Sequence, residues 1–310
     1  MTQSPVLNAS ANKASAAPAV TSTWTQSLEA GTQPEPAQLR DHLVAVHSAH
    51  AGFTEGCAAQ CVDASGRNSY ELLADVIDPA RRARALDLAC GSGVLLDVCQ
   101  RKFGAQVALT GIDMSADELA LARVRLPDPA IKLHAGLAQD LAFLGADRFD
   151  VVLCHWALTL MGEVPAVLGE IGKVLAPGGV FSAIVDGAHA TAPGYDEVND
   201  IIYGAVRKAY PAYGEIELGD PRVRTDAALH TLVAAAFPAA SIEIRPTVVT
   251  LRATPDVLAR EAAGFFYAIY VLSPEAKMAL LADLEAFFAN RAVDGVGVFA
   301  MPINQLIVQT

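Results

Sequence analysis

The sequence has no excess of positive charge: 22 Lys and Arg stand against 34 Asp and Glu, a formal net charge of −12 over 310 residues. A protein that neutralises phosphates needs a basic stripe or patch. The deficit therefore argues against a nucleic-acid partner. Cysteine is sparse as well, and Cys57, Cys61, Cys90, Cys99 and Cys154 are scattered and odd in number, unlike a secreted disulfide framework. That pattern points to a cytoplasmic protein. Cys57-x-x-x-Cys61 lacks the third nearby cysteine of an iron–sulfur site and a histidine at zinc-finger spacing, so no metal is expected. No run reaches the roughly 18 uncharged apolar residues of a membrane-spanning helix, so no membrane partner is expected either. The first residues show neither the basic-then-apolar order of a secretory signal nor the arginines of a transit peptide. There is no internal repeat.

What is present is apolar: 53% of the residues are hydrophobic and 18% charged, enough for a large core. Residues 1–35, rich in Ala, Ser, Thr, Gln and Pro, read as a disordered tail. Trp24 and Leu28 are bulky exceptions that would dock on a partner subunit or hang loose. From Pro36 the spacing of Leu39, Leu43, Val46, His47 and His50 predicts a helix, and Tyr70 to Ile77 a second.

The chemistry gathers at Arg84-Ala85-Leu86-Asp87-Leu88-Ala89-Cys90-Gly91-Ser92-Gly93-Val94-Leu95-Leu96. A short apolar run is the signature of a buried parallel strand, and Gly91 and Gly93 allow a tight turn against a ligand before a helix. A dinucleotide fingerprint needs a third glycine where Leu96 stands, so NAD and FAD fall behind. Some 20 residues on, Val107 to Ser115 is a second apolar strand ending in Asp113, the spacing at which a carboxylate reaches a ribose. The plainer reading is that Asp113 caps the helix after Ser115.

Taken with three later segments, this stretch resembles the class I S-adenosylmethionine-dependent methyltransferases. The resemblance covers residues 84–186. Asp87-x-Ala89-x-Gly91-x-Gly93 is similar to the family's acidic glycine-rich motif, with Ala89 in place of the first glycine. Gly111-Ile112-Asp113-Met114-Ser115 resembles its second motif, which makes Asp113 the ribose ligand and Met114 a wall against the adenine. In Lys132 to Leu141 the family's adenine-binding acid is replaced by Leu137, leaving backbone groups near Ala138 to read the ring edge, with Asp140 three residues on. Phe149 to Leu158, with Cys154-His155-Trp156, resembles the fourth strand and the loop facing the methyl group. Leu175-Ala176-Pro177-Gly178-Gly179 resembles the turn leading into the fifth strand. The resemblance implies a cofactor site of Asp87, Ala89, Cys90, Gly91, Gly93, Asp113, Met114, Leu137, Ala138 and Cys154, holding S-adenosylmethionine.

It also implies a doubly wound, seven-stranded, mainly parallel sheet of Rossmann-like methyltransferase type, its last strand antiparallel, with helical cap and lid insertions. The expected organisation is a tail (1–35), a helical cap (36–80) and a methyltransferase domain (81–310) with lids at about 187–222 and 254–292. Thr225-Asp226 begins a helix to Ala236, and Ser241–Ala253 and 296–308 read as strands. A helix from Thr254 through Phe265, Phe266, Tyr267, Ile269, Tyr270 and Val271 is apolar on every side, so it serves as core, substrate wall or a homodimer seam. A second helix follows from Ser273 to about Asn290.

A sulfonium methyl is already activated, so the enzyme must hold a nucleophile in line and exclude water. A hydroxyl acceptor gains from a base, and His155, directly after the fourth strand, is the first candidate, with His189 the second. Alternatively His155 only packs against the cofactor. Trp156, Tyr70, His50, Tyr195, Phe266 and Tyr270 are the candidate pocket residues; Trp156 would either face the sulfonium or be core. The expected function is methylation of a small organic metabolite, with oxygen the favoured acceptor, of the kind found in secondary metabolism. Nitrogen or carbon methylation, a protein or tRNA acceptor, and a cofactor-binding scaffold without catalysis are the alternatives.

Overall fold

The computed structural model describes residues 18–214 and 218–310. The described chain divides into two compact units. A sheet unit comprises 69–188, 218–247 and 303–310, and a helical unit comprises 18–68, 189–214 and 248–302.

The sheet unit is built on β1 (Arg84–Leu88), β2 (Ala108–Asp113), β3 (Lys132–Ala135), β4 (Phe149–His155) and β5 (Leu175–Asp186). Strands β6 (Ser241–Ala253) and β7 (Gly297–Gln309) each begin in one unit and end in the other. The sheet order is β3-β2-β1-β4-β5-β7-β6. β1 to β5 pair in parallel and β7 lies antiparallel to β5, with Ser182 opposite Ile307. This is the mainly parallel, doubly wound seven-stranded sheet implied by the resemblance. Parallel strands covered on both faces need near-continuous apolar runs. Val151 to Cys154 supply one, all four buried; Val152 and Cys154 lie in a core with Leu86, Leu88, Phe181, Val185, Leu168, Ile171, Leu229 and Val233. Strand order reverses at β1, whose neighbours are β2 and β4, and open parallel sheets bind ligands outside the carboxyl ends at such a point.

Two expectations change. The tail was read as disordered, yet Thr23–Ala30 is a helix. Ser22 and Thr25 close a capping box at its start, and Gly31 ends it at φ +65°. Trp24 and Leu28 are both buried, and burying two large apolar side chains offsets the ordering cost of a short helix. Residues 1–17 lie outside the described residues. The aromatic helix also stops early, at Phe265, with a 3₁₀ turn over Tyr267–Val271. Gly264 and the aromatic residues after it are poor helix formers, and Tyr270 bonds back from its hydroxyl to the Gly264 carbonyl at 3.0 Å. Ala268 to Leu272 are buried within the chain itself, so no continuous all-apolar helix exists there to form a seam. The helices at Asp226–Ala236 and Pro274–Ala289 stand where the sequence places them. Among the described residues no helix is long and apolar enough to cross a membrane.

Candidate functional site

At the end of β1 the backbone turns through left-handed conformations at Ala89 (φ +60°), Gly91 (φ +51°) and Gly93 (φ +81°). A side chain on Gly93 would meet Leu126 Cδ1 at 2.8 Å, so this position admits only glycine. Ala89 keeps the turn at a cost of about 1–2 kcal/mol for an L-residue in that region. Neighbouring elements clamp the turn. The Gly91 N–H donates to Asp113 Oδ2 at 2.8 Å and the Cys90 N–H to the Ile112 carbonyl at 2.9 Å. Arg125 Nη1 donates to the Ser92 carbonyl at 2.5 Å and to its Oγ at 2.7 Å. Asp113 Oδ1 also accepts from the Ser115 N–H at 2.8 Å, but the helix cap is Ser115, whose hydroxyl accepts from Glu118. Asp113 thus ties β2 to the glycine turn rather than capping the helix.

Asp87 is the most unusual group here. It is 2% exposed, and neither carboxylate oxygen has a hydrogen-bond partner. Burial, and secondarily the charge of Asp113, push its pKa well above the ordinary carboxylate range. A third acid, Glu118, is 2% exposed with Oε2 3.8 Å from where a side chain on Gly91 would begin. Three carboxylates around one glycine turn disfavour a pyrophosphate, which wants bare N–H groups and a helix dipole. They suit a ligand carrying positive charge. The thiols nearby are inert: burial, then the charge of Asp87, pushes those of Cys99 and Cys154 up to about 12.

The predicted cofactor residues divide by what their side chains do. Asp87, Ala89, Gly91, Gly93 and Asp113 form the turn and its acid lining, and half-buried Met114 follows directly. The Gly136 N–H donates to the Asp113 carbonyl at 3.0 Å, drawing Leu137 alongside; Leu137 is 40% exposed, an apolar surface in place of an acid. The side chains of Ala138 and Cys154 are enclosed in the core, which leaves only their backbones for a ligand. Cys90 faces inward too, its Sγ 2.8 Å from where a side chain on Gly111 would sit.

At the end of β4, His155 stacks on Tyr70 with centroids 3.8 Å apart, meets Trp156 edge-on at 5.4 Å, and its Nε2 is 2.8 Å from Ser69 Oγ. Burial holds its pKa down at about 3. The ring is neutral at physiological pH, and such a weak base accepts a hydrogen bond more readily than it keeps a proton. Trp156 has φ +56°, a rare conformation for a bulky residue. Three bonds hold it there: its N–H to the Ile184 carbonyl at 3.0 Å, its indole Nε1 to Asp186 Oδ1 at 2.8 Å, and Thr159 Oγ1 to its carbonyl at 2.8 Å. Strain maintained this firmly is a mark of functional sites.

The other predicted residues belong to the helical unit. His189 is exposed, with Nδ1 3.1 Å from Asp196 Oδ1 and its ring 4.8 Å from Tyr195. Tyr195 and Phe266 lie 6.3 Å apart, and His50 and Tyr270 4.6 Å apart. Sequence reasoning missed Ser69, Glu118 and Asp186. Ser115-x-x-Glu118 is a helix-start pattern that marks the position of Glu118 but not which way it faces. Ser69 and Asp186 have no sequence signal, because their partners are 86 and 30 residues away. Among the described residues no group of three or more His, Cys, Asp or Glu side chains is placed to hold a metal.

Residues 85–179 match a family described as a methyltransferase domain. The match spans β1 and its glycine turn, the acid of β2 and all of β4. Over these residues the chain is similar to a methyltransferase domain. The 2-phytyl-1,4-naphtoquinone methyltransferase of Thermosynechococcus vestitus is 32% identical over 120 residues, which is 38% of this chain and 52% of that protein. A ubiquinone biosynthesis O-methyltransferase of Aeromonas salmonicida is 35% identical over 106 residues, 33% of this chain and 43% of that protein. The chain thus spans about half the length, or less, of these curated relatives. Others carry names for trans-aconitate and arsenite. Among solved structures, the [4+2]-cyclase SpnF superposes with a TM-score of 0.52 at 19% identity, covering 90% of this chain and 97% of that one. At that identity the likeness is one of fold. The match ends within β5 and does not extend to the helical unit.

Proposed function

We propose that the protein binds S-adenosylmethionine at the glycine turn of its methyltransferase domain and transfers the methyl group to a small organic acceptor, with oxygen the favoured atom. Asp87 carries this reading: a buried carboxylate with both oxygens unpartnered, at the end of β1, fits a cationic ligand and repels a pyrophosphate. When bound, the cofactor supplies a methyl group already activated on a sulfonium. The chain's part is to bind, orient and exclude water. Asp87 answers positive charge, Asp113 offers its carboxylate to the ribose, and Met114 and Leu137 give apolar surface for the adenine.

On the acceptor side, the face of Trp156 walls the methyl group and His155 accepts a hydrogen bond from the acceptor hydroxyl. His189, Tyr70, His50, Tyr195, Phe266 and Tyr270 stand as further acceptor-side proposals, with 36–80, 187–222 and 254–292 as cap and lids. The relatives' names support a small acceptor, ranging from quinones to trans-aconitate and arsenite.

The test is incubation with methyl-labelled S-adenosylmethionine and a panel of small phenols, enols and carboxylic acids. Label in an aryl ether or a base-labile methyl ester supports oxygen transfer, and label only in carbon- or nitrogen-methylated products contradicts it. A second reading, a cofactor-binding protein that performs another reaction, draws on the fold shared with a protein named as a [4+2]-cyclase. No labelled product from any acceptor, with cofactor bound, favours that reading.

A further inference from the structure

His155 is held by three neighbours, and the way it is held decides which of its nitrogens is left open. Its Nε2 lies 2.8 Å from Ser69 Oγ, Tyr70 stacks on its face at 3.8 Å with the planes 19° apart, and Trp156 meets it edge-on at 5.4 Å. Ser69 is 1% exposed and opens the short helix Ser69–Ala74. That helix is tied to the sheet by Gln305 of β7, whose Nε2 donates to the Leu72 carbonyl at 2.9 Å and to Ser182 Oγ at 3.3 Å. The Ser69 hydroxyl is therefore fixed relative to the end of β4. Turning the imidazole over would put a ring carbon against the hydroxyl and lose the bond, so Nε2 stays on Ser69. Among the described residues Nδ1 has no hydrogen-bond partner, and the ring is only partly buried. Nδ1 is the nitrogen left for a ligand.

A neutral imidazole carries one N–H and one bare nitrogen, and the bond made by one nitrogen sets the state of the other. Burial keeps the His155 ring neutral at pH 7, so a single proton has to be placed. We propose that Ser69 is a positioning residue that fixes the His155 tautomer: Nε2–H donates to Ser69 Oγ, and the bare Nδ1 meets the acceptor hydroxyl. The serine oxygen has two lone pairs with which to accept. An Nε2–H deprived of it would be left unpaired away from water, which is costly. The opposite tautomer, with the Ser69 hydroxyl donating to Nε2, would make Nδ1 a donor and close it to the proton of an acceptor hydroxyl. The inference rests on the reading of His155 as the residue that accepts a hydrogen bond from the acceptor.

The experiment is long-range ¹H–¹⁵N NMR correlation on the full-length protein carrying ¹⁵N-labelled histidine, at pH 7 and without ligand. His155→Gln identifies the His155 signals among those of the seven histidines. In the wild type Nε2 should report as the protonated nitrogen and Nδ1 as the bare one. In Ser69→Ala the proton should shift wholly or partly to Nδ1, while the affinity for S-adenosylhomocysteine, measured by calorimetry, stays unchanged. Label passed from methyl-labelled S-adenosylmethionine to the panel of small phenols and enols should fall about tenfold in that variant, the equivalent of one lost hydrogen bond. A proton on Nδ1 in the wild type, an unchanged tautomer in Ser69→Ala, or undiminished label transfer by that variant overturns the proposal. Should Ser69→Ala not fold, the wild-type spectrum decides. If the wild type transfers no label at all, the methyltransferase reading fails, whereas the spectrum, which needs no turnover, still decides the tautomer.

Discussion

The two units each enclose a polar group that no neighbour satisfies, and the groups are of opposite kinds. At the end of β1 it is a carboxylate, Asp87, with Asp113 adding negative charge; in the helical unit it is an imidazole, His50, with Lys277 adding positive charge. Burial penalises the charged form of either, so the acid moves up and the base moves down. Acids paired within the chain behave otherwise. Asp220 beside Arg222 and Glu243 beside Arg245 are drawn below the usual carboxylate range by partners within the chain. Pairs completed within the chain stabilise, whereas the unpartnered Asp87 carboxyl is suited to a ligand of opposite charge. The two units thus bury their unsatisfied groups with opposite consequences for pH dependence.

The change expected to disturb this contrast most is Asp87→Asn. Binding of S-adenosylhomocysteine should fall about 10- to 100-fold, the value of a charge-assisted hydrogen bond, measured by calorimetry. Stability should rise by about 1–3 kcal/mol at neutral pH, because a buried acid with no hydrogen-bond partner is removed. The sign follows from linkage. The folded pKa of Asp87 lies above its unfolded value, so its contribution is fully present below about pH 3.8 and is lost as pH rises toward the folded pKa. The stability gap between Asp87→Asn and wild type, followed by urea denaturation, should widen from pH 4 to pH 8. A gap that narrows breaks the account of Asp87.

The histidines provide the mirror image. His42, His50 and His155 have pKa values held down at about 4, about 4 and about 3 by burial. With folded values below the unfolded 6.5, their contribution is present above about pH 6.5 and is lost as pH falls toward 4. Denaturation midpoints should therefore drop over that window, and His42→Gln, which removes one of these titrations, should shrink the drop. Activity, if His155 only accepts a hydrogen bond, should show no inflection from it between pH 5 and 8.

Much of this was legible in the sequence. Periodicity and glycine placement located β1, β2, β6, β7 and the turn after β1, because a buried strand and a left-handed turn are local requirements; β4 and β5 came from the family resemblance, and β3 was not read as a strand. The position of Asp113 at the end of β2 was readable from spacing, but its bond to Gly91 was not. Glu118, Ser69 and Asp186 were hidden because a side chain's direction depends on packing between segments far apart in the chain. Lys277 was hidden for the same reason: in sequence it is one charge in an ordinary helix. The order in residues 18–35 was missed because composition outweighed Trp24 and Leu28, whose burial decides the matter.

Smaller effects sharpen the contrast by staying within one unit. Asp186→Ala removes the acceptor of the Trp156 indole N–H and should cost about 1–2 kcal/mol, measured by urea denaturation. Because the chain has two tryptophans, a Trp24→Phe background lets fluorescence report on Trp156 alone, and Asp186→Ala should shift its emission. Ala89→Gly relieves a left-handed alanine but adds freedom to the unfolded chain, so a stabilisation of up to about 1 kcal/mol is expected. Its cofactor affinity should match wild type, since the turn already has the backbone of a glycine.

The most direct test of the central claim, that the acid-lined turn of β1 answers a positive charge on the cofactor, is calorimetric titration of wild type and Asp87→Asn with S-adenosylhomocysteine, which keeps the cofactor's ammonium but not its sulfonium, using NAD⁺ as the control. The account predicts micromolar binding to wild type, marked weakening in a variant that is more stable than its parent, and no heat from NAD⁺. Binding of NAD⁺ to wild type, or undiminished S-adenosylhomocysteine binding by Asp87→Asn, would contradict it.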